Sequence, residues 1–109
     1  MQLKLIRYVI TVAQFGNFTK AAEHLYISQP ALSQAIRRLE NDLEIEIFNR
    51  ERSQITLTPA GRILVQEGEK LLEIEDRLHQ QLEVFRRQEN HTLTVGAAPS
   101  YQKYYLSGL

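Results

Sequence analysis

The chain has 109 residues and contains neither cysteine nor tryptophan. Disulfides and thiolate-bound metal centres are thereby excluded, so packing and hydrogen bonding must hold the fold together. Long apolar runs are missing too: nothing approaches the roughly 20 apolar residues of a membrane span. The opening stretch, MQLKLIRYVITVAQFGNF, is interrupted by Arg7 and Gln14 and no small-residue cleavage site follows it, so it does not read as a signal peptide. A cytoplasmic location is the expectation. An excess of charge of either sign is also absent, since 13 Lys and Arg balance 13 Asp and Glu. Residues 1–57 hold seven basic against six acidic side chains, and residues 58–91 hold five against seven. Such a balance speaks weakly against a polyanionic partner. Any attraction of that kind has to be local, set by where Arg37, Arg38, Arg50 and Arg52 point.

What the chain does have is helical periodicity in short, well-punctuated blocks. The first, about Leu3 to Phe15, carries two apolar stripes: Leu5, Tyr8, Val9 and Val12 on one side, Leu3, Ile6 and Ile10 on another. A helix apolar over most of its circumference must be covered on more than one side. Gly16 ends it, and Asn17 is placed to cap a second helix from Phe18. In FTKAAEHLYISQPALSQAIRRL, Ala21, Ala22 and Leu25 line one side of that helix. Leu32, Ile36, Leu39 and Leu43 line one side of the next, which runs from about Gln29 to Leu43 with Ser28 as cap and Pro30 in its first turn. Small Ala22 allows the two to cross closely. The pair predicts a helix-turn-helix, whose second helix in such motifs enters the DNA major groove.

In IEIFNRERSQITLTPAG, apolar residues alternate on either side of a polar loop at Glu51 to Gln54, which predicts a short hairpin, or wing. Thr58-Pro59 then opens a long helix, Thr58 as cap and Pro59 at the first position. Its stripe is Leu64, Leu71, Leu78 and Phe85, flanked by Ile74 and Leu82. From Pro59 to Gln88 it would extend about 45 Å at 1.5 Å per residue, against about 26 Å for the domain before it. Periodicity of this kind usually marks a helix buried within its own domain. The length instead predicts a second copy as partner. Gln88 to His91 reads as a polar break, Thr92 to Val95 as a strand and Ser100 as a helix start, so either the chain is cut from a longer one, the favoured expectation, or its last segment docks on something else.

The ordered set FTKAAEHLYISQPALSQAIRRLE, IFNR, LTPAG at Leu57–Gly61, a linker helix and LTVG resembles the N-terminal portion of LysR-type transcriptional regulators over residues 1–98. The resemblance implies a mainly α fold: a winged helix-turn-helix DNA-binding domain at 1–58, a linker helix at 59–88 pairing antiparallel in a homodimer, and at 89–109 the start of an effector-binding domain. It also implies promoter DNA as partner, and, in the full-length form, tetramers and a small-molecule effector. No cofactor is implied. Three positions depart from the family pattern: Glu44 where glycine is usual, Gln34 where arginine is frequent, and Ser53, with Glu51 nearby, where the wing usually offers arginine.

Gln29, Ser33 and Gln34 are the candidate base readers, because Gln suits bidentate contact with adenine and Ser is versatile. An ordinary solvated helix face is the alternative. Pro30 either touches a thymine methyl or simply starts the helix. Arg37 and Arg38 are candidates for phosphate, or for pairing with Glu40 or Asp42. Ser28 and Arg52 join the DNA-binding set, with Thr19 and Lys20 as phosphate contacts or plain surface, whereas Arg50 anchors the wing or reaches DNA. The dimer set is Leu64, Leu71, Ile74, Leu78, Leu82 and Phe85. His24, His79 and His91 share no metal-ligand spacing, and no phosphate loop or nucleophile motif points to an enzyme. Two function classes remain: a sequence-specific transcription regulator, and a helix-mediated protein-interaction module in which the helix-turn-helix is only a packing device.

Overall fold

Each of the first three helices starts or stops where a side chain or a left-handed residue takes over from the backbone. α1 (Leu3–Phe15) ends at Gly16, whose φ of 63° lets its N–H turn back to the Val12 carbonyl. α2 (Phe18–Leu25) is capped by Asn17, whose Oδ1 accepts from the Lys20 N–H at 2.9 Å. α3 (Gln29–Leu43) is capped by Ser28 Oγ, which accepts from Ala31 N–H at 3.2 Å, with Pro30 in the first turn. These are the boundaries expected from the sequence. The structure, a computed structural model, describes residues 1–51 and 54–91, the side chains as far as Arg87. It divides into two compact units, Met1–Glu73 and Ile74–Leu109.

In the first unit, Val9 and Val12 of α1, Ala21 and Ala22 of α2, and Leu32, Ile36 and Leu39 of α3 form one buried cluster with Ile47 and Phe48. Burying each Leu, Ile or Phe contributes about 1.5–3 kcal/mol, and the two alanines let α2 sit close against its neighbours. Leu43, expected on the buried stripe of α3, is exposed instead, because the helix has passed the edge of the core there. The second stripe of α1 is covered by the same chain: a Cβ on Gly68 would lie 2.6 Å from Ile6 Cγ2, so the two helices touch at that glycine.

β1 (Phe48–Asn49) and β2 (Thr56–Leu57) pair antiparallel, Phe48 opposite Leu57 and Asn49 opposite Thr56, which makes the expected wing. Thr58 joins wing to linker: its hydroxyl donates to the Glu46 carbonyl at 2.6 Å and accepts from Gly61 N–H at 2.9 Å. α4 (Pro59–His91) begins there, as Thr58-Pro59 predicts. It runs past the expected end at Gln88. Gln, Glu, Asn and His are modest helix formers but not breakers, so the polar run alone does not stop the helix. Residues 92–109, with the expected strand at Thr92–Val95 and helix start at Ser100, lie outside the described residues, as does Arg52. Among the described residues no helix is long and apolar enough to cross a membrane.

Candidate nucleic-acid interface

Gln29, Pro30, Gln34, Arg37 and Arg38 are all exposed on α3, and Ser33 is half-buried among them. The first turns of the helix therefore offer a polar surface opposite the face that carries Leu32, Ile36 and Leu39. Gln29 and Ser33 are joined: Gln29 Nε2 donates to Ser33 Oγ at 2.8 Å. Thr19 and Lys20 are exposed in the first turn of α2, and Ser28 keeps its hydroxyl hydrogen after accepting as a cap. The turn leading into α3 is a left-handed one at Tyr26, φ 59°, with Ile27 N–H on the Ala22 carbonyl at 3.1 Å. Tyr26 itself is 94% exposed.

The two arginines part company. Arg37 shares a recess with Glu46, Asn49, Arg50 and Glu51 at the base of the wing. Arg38 lies on the other flank, in a groove shared with Lys4, Tyr8, Ile27 and Asp42. Glu46 and Glu51 bring two acidic side chains into the recess that Arg37 lines.

Neither Arg37 nor Arg38 takes Glu40. That carboxylate is 8% exposed and faces the body of the domain. Its Oε1 pairs with Arg50 Nη2 at 3.0 Å, while Oε2 accepts from the Ile47 backbone N–H at 2.7 Å. The Arg50 guanidinium also sits over the Phe18 ring, 5.7 Å from its centroid, a cation–π arrangement. Arg50 thus anchors the wing to α2 and α3 instead of standing out toward a ligand. Glu40 is a structural residue that the helical pattern alone does not single out. Its one local signal is its place one turn after Ile36 on the apolar side of the helix, where a charge needs a dedicated partner.

On α4, Leu64 departs from the rest of the expected dimer stripe: it is half-buried and packs on the core of its own unit. Leu71 is exposed. In the second unit Ile74, Leu78, Leu82 and Phe85 are exposed, the first two by 53% and 51%. Among the described residues no cluster of His, Asp or Glu could hold a metal ion.

Residues 3–62 match the family model described as bacterial regulatory helix-turn-helix protein, lysR family. The chain is 38% identical over 96 residues to an uncharacterised HTH-type transcriptional regulator, YcgK, of Bacillus subtilis, covering 88% of this chain and 30% of that one. It is 39% identical over 100 residues to the Hca operon transcriptional activator HcaR of Escherichia coli, covering 92% and 33%. The chain spans about a third of the length of these relatives. Among solved structures, the BenM DNA-binding domain in a benA site 1 DNA complex superposes with a TM-score of 0.75 at 35% identity, over 78% of this chain and 96% of that one. The CbnR DNA-binding domain in its DNA complex gives 0.73 at 31%, over 77% and 97%. The matched span takes in all three helices, the wing and the start of α4, and the chain belongs to the lysR family of bacterial regulatory helix-turn-helix proteins.

Proposed function

We propose that this chain carries the DNA-binding and dimerisation parts of a LysR-type transcription regulator, with α3 reading the major groove of double-stranded promoter DNA. The observation that carries the reading is the polar, exposed N-terminal half of α3, presented by a helix-turn-helix whose orientation is fixed through caps at both ends of the turn. Gln29, Pro30, Ser33 and Gln34 are the base-reading group, and Arg37, with Thr19, Lys20 and Ser28, meets phosphate. Arg38 belongs with the phosphate contacts on the opposite flank, and Arg52 with the wing. The solved neighbours in DNA complexes support the assignment of the surface.

The linker helix supplies the dimer contact through Leu71, Ile74, Leu78 and Leu82, with Phe85 continuing the register. Their spacing of three and four residues is that of a helix–helix seam, and large apolar side chains left in water on such a seam favour a second copy. A cytoplasmic location, tetramers and control by a small-molecule effector in the full-length protein complete the proposal. The interaction-module alternative loses its footing because the family match falls on the helix-turn-helix and wing, the portion that it leaves idle.

A gel-shift of genomic fragments at low and high salt tests the reading. Sequence-selective retention that weakens steeply with salt is expected. Absence of retention at any salt would contradict it.

A further inference from the structure

The Gln29 side chain is held by a neighbour one turn along, and that contact limits what it can read. A primary amide offers two N–H donors and one carbonyl acceptor. With one N–H of Gln29 on Ser33 Oγ at 2.8 Å, one N–H and Oε1 remain, and they share one edge of the amide when Ser33 holds the hydrogen anti to Oε1. That donor–acceptor pair complements the major-groove edge of adenine, which presents the N7 acceptor beside the N6 donor. Ser33 is constrained by the same contact. Its oxygen accepts from Gln29, which leaves the hydroxyl hydrogen and one lone pair for a base edge. Adenine N7, guanine N7 and O6, and thymine O4 can receive the hydrogen.

We propose that Gln29 and Ser33 form one coupled reading unit. Gln29 selects adenine, and Ser33 both orients the Gln29 amide and donates to an acceptor-bearing base edge. The proposal rests on α3 being the helix that enters the major groove. It makes Ser33 a positioning residue for a base that it does not itself touch. Neither residue is diverted to holding the fold: Ser28 caps the helix, and Leu32 and Ile36 supply its buried face.

Selection of the 109-residue chain on a pool of randomised duplexes tests this, run in parallel for the wild type, Gln29→Ala, Ser33→Ala and Ser33→Thr. The pair whose preference Gln29→Ala abolishes marks the base that Gln29 reads, and adenine is expected there in the wild type. Ser33→Ala should reduce adenine enrichment at that same pair by about 5-fold or more, the lower end of what a bidentate contact supplies. Ser33→Thr, which keeps a hydroxyl at the same place, should restore it. Alanine is the stronger helix former, so Ser33→Ala keeps α3 folded, and circular dichroism checks this. Unchanged adenine enrichment in Ser33→Ala, no recovery in Ser33→Thr, or a different base at that pair in the wild type would each overturn the coupling and leave the DNA-binding reading standing. A wild type that enriches no sequence would overturn both.

Discussion

Glu40 and Arg50 are closed on each other at 3.0 Å across the seam between α3 and the wing, and the Glu40 carboxylate also takes the Ile47 N–H at 2.7 Å. A charge this deeply placed is strongly coupled to its partners. Glu40→Ala leaves Arg50 without its counter-ion and a backbone donor without an acceptor, and is expected to cost about 3 kcal/mol. Arg50→Ala should cost less, because the Arg50 side chain keeps 29% of its surface in water and the uncovered carboxylate can be partly solvated. Urea unfolding midpoints of the two variants check the order.

Glu44 ends α3 at φ 56°, with its N–H on the Asn41 and Glu40 carbonyls. The left-handed stop that glycine usually makes at this place is thus formed by a residue with a Cβ, at a conformational cost of about 1 kcal/mol. Glu44→Gly should therefore stabilise the domain, seen as a rise of several degrees in Tm, whereas Glu44→Ala should bring no such gain.

Gly61 and Gly68 lie inside α4, where a glycine-to-alanine change ordinarily gains up to about 1 kcal/mol. Here both changes should lose. At Gly61 the new methyl would run into the Ile47 carbonyl, which is backbone held by Thr58 N–H and cannot give way cheaply. At Gly68 it would meet Ile6 Cγ2, which belongs to a buried side chain and not to the backbone. Gly61→Ala is expected to cost at least about 2 kcal/mol and Gly68→Ala less. Thermal melts of the two single variants test the ranking.

The helix boundaries were legible because this chain marks them with chemistry: Gly16, Asn17, Ser28 and Thr58-Pro59 each announce a start or a stop. The polar face of α3 was legible from the same periodicity. Contacts between elements distant in sequence were not. Nothing local says that Ile6 is covered by α4 at Gly68, or that Glu40 reaches past its helical neighbours to Arg50 and Ile47. Periodicity gives the face of a helix but not its partner: Leu64, on the same stripe as Leu71, packs on the core of its own unit. The end of α4 at His91 is not legible, because a run of polar residues carries no stop signal without glycine or proline.

If the exposed apolar residues of α4 join two copies, placing charge on them should separate the copies without unfolding the head. Leu71→Asp combined with Leu78→Asp is expected to give monomers by light scattering, with the helical circular dichroism of the first unit retained. A dimer that survives both substitutions would place the contact elsewhere.

The most direct test of α3 as a reading helix compares Gln29→Ala and Arg37→Ala on selected and random duplexes over a salt series. Gln29→Ala should lose about 1–3 kcal/mol on the selected duplex and little on random DNA. Arg37→Ala should weaken both alike and lower the slope of log K against log salt by about 0.9. Equal losses on both duplexes for Gln29→Ala, with no change of salt slope for Arg37→Ala, would contradict the assignment of this face to DNA.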